Sequence, residues 1–277
     1  MALYHAAMDD ALISPEFGAD YGDEFQSCSF KVDRADYHFQ VLKDEILAWN
    51  QSNPYSLERK RNSNGSRHSL VISAINPPPV DRWSLLIGDL IHNLRSALDH
   101  LVYALAIRND LKLEEIRNLQ FPICDTPHGF KRQIGRNRLK GIAHAVRAQI
   151  ECFQPYLRDR GKTERLLALL RDLDDIDKHR LLHVVLAQPY AYQVEDLSVP
   201  ATILFDTYPI ENGSEIVIIT PVVPDIEFKY KFKGTINIAI AHGYTESGRP
   251  NLIPAIEVIY RLRKEVNFVI DAIVGVS

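Results

Sequence analysis

Residues 81–107 read DRWSLLIGDLIHNLRSALDHLVYALAI, and this stretch decides how the rest of the chain is organised. At about 100° per residue, Trp83, Ile87, Leu90, Ile91, Leu94, Leu98, Leu101 and Leu105 fall on one broad apolar arc, which predicts a long core helix. The opposite side carries Asp89, His92, Asn93, Ser96, Asp99, His100 and Tyr103, with Arg95 at the edge. A helix face turned to bulk water is normally built from Lys and Glu, and this one has neither. Short polar side chains bury well only when hydrogen-bonded, so a second polar element, a ligand or a partner chain is expected over this face. Gly88 on the same side would admit a close neighbour.

Working outward, Pro77, Pro78 and Pro79 stop any ladder before the helix, and Asp81 is a natural N-cap. Upstream, Asn64-Gly65 between two short segments predicts a β-hairpin over 55–75. Asp33 is placed to cap a helix carrying Ala35, Phe39, Leu42, Ile46 and Trp49, while residues 1–27 read as a loose lead-in. Downstream, LQFPICDTP reads as extended chain. Helices are expected over 142–153 and from Thr163, the second bearing Leu166, Leu169, Leu170, Leu173 and Ile176 on one face. If that helix continues, Asp177 and Arg180 enter the same apolar stripe, and two such charges need a destination.

Beyond Leu181 the period becomes two. Ile226, Phe228, Tyr230 and Phe232 alternate with charged residues, and Ile236, Ile238 and Ile240 follow, which predicts an antiparallel sheet over 183–242 with one wet face. Apolar residues at helical spacing over 252–274 return the chain to the bundle. The expected fold is α+β: one domain over 1–277, a mostly helical core over 28–182, then the sheet, then the C-terminal helix.

Composition narrows the function classes. Hydrophobic residues make up 46%, enough for a proper core, and a net charge of −4 gives no global pull toward nucleic acid or membrane. Three cysteines without CxxC spacing argue against a disulfide scaffold and a thiolate zinc site, so the cytoplasm is the expected compartment. No run of about 18 apolar residues is present, so no membrane partner is expected. Nucleotide-binding and nucleophile-elbow patterns are absent, and no cofactor is expected. Lys131, Arg132, Arg136, Arg138 and Lys140, with Arg147, Arg158, Arg160, Lys162 and Arg165 beyond them, form a basic tract suited to phosphate.

Arg95-Ser-Ala-Leu-Asp-His100 has arginine, four residues, then histidine, inside a helix flanked by helices, and so resembles the motif of the HEPN superfamily. The resemblance implies a helical bundle, a homodimer and a metal-independent endoribonuclease acting as a toxin or defence effector, paired with an antitoxin or defence partner. Arg95 and His100 would be catalytic. An imidazole can move the proton of an RNA 2′-hydroxyl, and a guanidinium can neutralise the phosphorane. His92, Asn93, Ser96, Asp99, Tyr103, Asp177, Lys178, His179 and Arg180 would support them, and Lys131, Arg132, Arg136, Arg138 and Lys140 would hold RNA. The family often has Asn, Asp or His where this chain has Ser96, and its toxin branch often has Tyr one residue earlier than Tyr103. The wider pattern, GDLIHNLRSALDHL followed by FPI, QPY and LDDIDKHR, is similar to a group of uncharacterised bacterial proteins, which implies a shared fold and no activity.

Read without the resemblance, the same residues leave two alternatives. One is a non-catalytic binding or scaffold protein in which Arg95 pairs with Asp99 or Asp177. The other is a metal-dependent hydrolase recruiting His92, Asp99 or His100 with Asp177 or His179. His92 and His100 are about 12 Å apart along the axis, too far to share one ion, so no metal ligands are assigned.

Overall fold

The computed structural model describes residues 23–157, 165–187, 193–205, 209–224, 226–233, 236–246 and 248–277. It is an α+β fold, with six α-helices and antiparallel strands among the described residues. Where the sequence suggests one domain, these residues group into two compact units: Lys43–Trp83 with His183–Ile256, and 23–42 with Ser84–Leu182 and Glu257–Ser277.

Helix α1 spans Gln26–Gln51, behind a single 3-10 turn at Asp23–Phe25. Asp33 is therefore interior to the helix and does not cap it; the buried stripe begins earlier, with Phe25, Cys28 and Val32 ahead of Ala35 and Leu42. The part of the expected lead-in before residue 23 lies outside the described residues.

Helix α2, Val80–Arg108, is the central helix. The Trp83 N–H donates to the carbonyl of Pro79, so the proline run sets the first turn. At the far end Asp110 takes the left-handed conformation (φ 60°), and the Leu111 N–H returns to the carbonyl of Ala106 as in a Schellman cap. Ile87, Leu90, Ile91, Leu94, Leu98, Leu101 and Leu105 are buried as their spacing requires, whereas Leu85 is exposed.

A 3-10 segment, Leu113–Asn118, leads into the extended stretch 119–125. Helix α3 then occupies Pro127–Gly135, capped by the Thr126 hydroxyl accepting from the Gly129 N–H. Helices α4 (His144–Cys152), α5 (Leu166–Asp177) and α6 (Ala255–Val274) complete the set. Thr163, Arg158, Arg160 and Lys162 lie outside the described residues. Helix α5 stops at Asp177, so Arg180 never joins its stripe and is exposed; the charge that does enter is Asp174, four residues after Leu170.

In the other unit, strands β1 (Tyr55–Arg61) and β2 (His68–Ile75) form the expected hairpin, joined by 62–67 with Gly65 at φ 64°. The connection is wider than a two-residue turn, because Asn62 pairs across it with Arg67. The hairpin then recruits later strands: β6 (Glu215–Pro221) and β5 (Ala201–Phe205) extend it in the order β1-β2-β6-β5. Strands β3 (Val184–Ala187), β8 (Asn237–Tyr244) and β9 (Pro250–Pro254) form a second sheet, and β4 (Gln193–Glu195) with β7 (Lys231–Lys233) a third. The single sheet with one wet face is thus corrected to three sheets. Along β8, Ala239 is as buried as Ile238 and Ile240, so its ladder has no wet face there. Trp49 and Trp83 meet edge to face at 5.9 Å in the core of this unit.

Candidate functional site

All the polar residues of α2 singled out above belong to the helical unit, and they separate into three groups. Asp89, His92 and Tyr103 are exposed, Ser96, Asp99 and His100 are half-buried, and Asn93 and Arg95 are buried. Spaced three or four apart, the open positions make a narrow solvent-facing stripe rather than a broad face.

Arg95 lies on the buried edge of that stripe. Its Nη1 donates to Asp99 Oδ1 at 2.8 Å, and its Nη2 donates to the backbone carbonyl of Phe121 at 2.8 Å. The same Asp99 oxygen accepts the Phe121 N–H at 2.8 Å. One turn of α2 therefore serves both backbone groups of Phe121, as a neighbouring strand would. Gln154, fully buried, continues the pattern: its Oε1 accepts the Cys124 N–H, and its Nε2 donates to the carbonyls of Pro122 and Ile150. An extended segment with no strand beside it would otherwise bury unpaired backbone, and these three side chains prevent that. Burial holds the Asp99 carboxyl above its ordinary pKa even though Arg95 and the Phe121 N–H pull the other way.

His100 is one turn further on, and its side chain makes no hydrogen bond among the described residues. Burial lowers its pKa and the nearby Lys31 ammonium adds to that, with the Asp99 carboxylate pulling the other way. Lys31 donates to Asn93 Oδ1 at 3.4 Å, and the Asn93 amide returns to the carbonyl of Asp89.

The end of α5 covers the other flank. His92 Nδ1 lies 3.2 Å from Asp174 Oδ1, and Lys178 Nζ lies 2.5 Å from Asp174 Oδ2. Asp174 is 2% exposed and the His92 side chain 57% exposed, so a sealed carboxylate orients an open imidazole. Burial works against the Lys178 charge, but its hydrogen bond to Asp174 more than compensates and its pKa is raised. Asp177 packs on Gly88, while His179 and Arg180 are exposed beyond the helix end. The end of α5 thus lies on the polar side of α2, and of the two partners considered for Arg95 it is Asp99, and not Asp177, that pairs with it. Gln154 carries part of this network and escaped the sequence reading; its signal was a glutamine directly before Pro155.

No family model, curated protein or solved structure matches this chain. Among the described residues no group of three His, Cys, Asp or Glu is placed to hold a metal ion, and no helix is long and apolar enough to cross a membrane.

The basic tract divides as well. Arg138 donates to the carbonyl of Asn118, and Lys140 pairs with Glu115 at 2.7 Å, so both hold the turn after α3 to the 3-10 segment. Lys131, Arg132 and Arg136 are exposed, and their side chains make neither hydrogen bond nor ion pair among the described residues. Their spacing puts them, with His128, on one face of α3. Asp125 is the one acid between Leu119 and Ile150, and Arg165 and Arg171 occupy it.

Proposed function

We propose that this chain is a non-catalytic RNA-binding protein of the cytoplasm. Within its HEPN-like arginine-histidine spacing, Arg95 acts with Asp99 as a structural clamp, and RNA is taken by the cationic face of α3. What carries the reading is the commitment of Arg95. A guanidinium that neutralises a phosphorane must aim free donors at the substrate, whereas both terminal nitrogens of Arg95 are spent on Asp99 and Phe121 and its side chain is 8% exposed. Withdrawing it would strand the Asp99 carboxylate and the Phe121 carbonyl, at a cost of about 3–5 kcal/mol. The free cations of α3 supply a binding function that does not need Arg95 to move. Three cysteines without a disulfide among the described residues accord with a reducing compartment.

The test is incubation of the purified protein with total RNA in EDTA, beside a His100→Ala variant, with fluorescence anisotropy on a labelled single-stranded RNA in parallel. The RNA is expected to stay intact and to be bound. Cleavage by the wild type that His100→Ala abolishes would replace this reading with a metal-independent endoribonuclease built on Arg95 and His100.

A further inference from the structure

The β1-β2-β6-β5 sheet has two outer strands, and they are built differently. Strand β1 carries Glu58, Arg59, Lys60 and Arg61 in succession, and its register shifts between Ser56 and Leu57. Charges and a bulge are the usual devices that keep another strand from pairing with an open edge. Strand β5, Ala201-Thr-Ile-Leu-Phe205, has neither. It contains no charge and no proline, and it pairs with β6 without a shift, from Ala201 opposite Pro221 to Phe205 opposite Val217. Thr202 and Leu204 are exposed, Leu204 at 58%. Among the described residues no strand pairs with the outer side of β5.

We infer that β5 is a self-association edge, on which a second copy of this chain adds its own β5 antiparallel and continues the sheet from four strands to eight. The occupant follows from the strand's chemistry. Antiparallel neighbours must not set like charges opposite each other, and a neutral strand meets that condition against itself. Pairing about Ile203 places Ile203 opposite its own copy and Thr202 opposite Leu204 of the partner, each contact occurring twice as an isologous interface requires. Five residues a side make a small contact, so the dimer forms only at high concentration.

The test uses the full chain in sedimentation equilibrium from about 5 to about 500 µM. The wild type is expected to pass from monomer to dimer across this range. Thr202→Lys with Leu204→Lys places lysines opposite each other twice and should weaken association about ten-fold or more. Thr202→Glu with Leu204→Glu should do the same, and mixing the two double variants should restore the dimer. In the wild type, the amides of 202–204 should gain protection from hydrogen exchange as concentration rises, a readout that does not depend on any variant folding. A monomer throughout, or a dimer that neither double variant weakens, overturns the proposal; so does protection of 202–204 that is independent of concentration.

Discussion

Asp177 lies so close to Gly88 that a β-carbon on Gly88 would sit 2.0 Å from its Oδ1 and 2.6 Å from its Cγ. The contact places the end of α5 against the polar side of α2, and it is available only because Gly88 has no side chain. Gly88→Ala gains helix propensity on α2, worth about 1 kcal/mol in isolation. The clash outweighs that gain, because the carboxylate must move together with the turn that carries it. A net loss of about 1–3 kcal/mol is expected in urea unfolding. Shortening the opposing side chain in the double variant Gly88→Ala with Asp177→Ser should return most of it, and a double-mutant cycle with no coupling would show that the two residues do not share this space.

Asp177 itself is costly when ionised. Burial raises its pKa, Asp89 and Asp174 raise it further, and His92 only partly offsets them. A carboxyl whose pKa is higher folded than unfolded favours the fold below its unfolded pKa, and that contribution is lost as pH rises through the folded value. At neutral pH the charge is therefore a liability, and the isosteric Asp177→Asn removes it. The variant should melt about 2 °C above the wild type at pH 7, with the difference vanishing below about pH 4. A gap that persists or grows in acid would refute the electrostatic origin.

The long helix was legible because three prolines precede α2 and its apolar arc is continuous. Helix α3 was not: nine residues containing Gly129 and Gly135 bury only Phe130, and the charges of Lys131 and Arg132 mask the period. Conversely, the alternation from Ile226 to Phe232 predicts a strand over its whole length, and only Lys231–Lys233 pairs as one. The preceding residues are held by side chains instead. Arg59 lies 4.4 Å from the Tyr230 ring centroid and donates to the Tyr230 carbonyl, while Phe228 meets His68 edge to face at 4.4 Å. At the site, the Arg95–Asp99 pair follows from i,i+4 spacing alone. That both serve Phe121, and that Gln154 joins them, depends on tertiary packing across 22 to 32 residues of sequence, which no local pattern encodes.

The clamp on Phe121 makes Arg95 a stability residue with a distinctive signature. Arg95→Ala should cost about 3–5 kcal/mol, because a half-buried carboxylate and a backbone carbonyl lose their partner together. Arg95→Lys should recover little, since one ammonium cannot reproduce the planar fork that reaches both acceptors. Gln154→Ala, which frees the Cys124 N–H and the Pro122 carbonyl at the other end of the same segment and the Ile150 carbonyl of α4, should cost about 2–4 kcal/mol. Hydrogen exchange of the Phe121 and Cys124 amides should accelerate in Arg95→Ala and Gln154→Ala respectively. Melting temperatures unchanged by Arg95→Ala would free that guanidinium for chemistry and revive the endoribonuclease.

The basic tract yields a prediction that separates binding from folding within ten residues. Lys131, Arg132 and Arg136 touch no acid among the described residues, so replacing all three with Gln should leave the melting temperature within about a degree of the wild type. If these cations neutralise phosphates, each releases a counterion on binding, and losing three should flatten the plot of log K against log salt by about 2 for a single-stranded RNA. Arg138 and Lys140 should behave in the opposite way. Their partners are the carbonyl of Asn118 and the carboxylate of Glu115, so Arg138→Gln with Lys140→Gln should lower stability by about 1 kcal/mol and change the salt slope little. Measuring both variants by anisotropy from about 50 to about 200 mM salt decides the matter. Equal slopes for the triple variant and the wild type would show that the face of α3 is only a solvated surface.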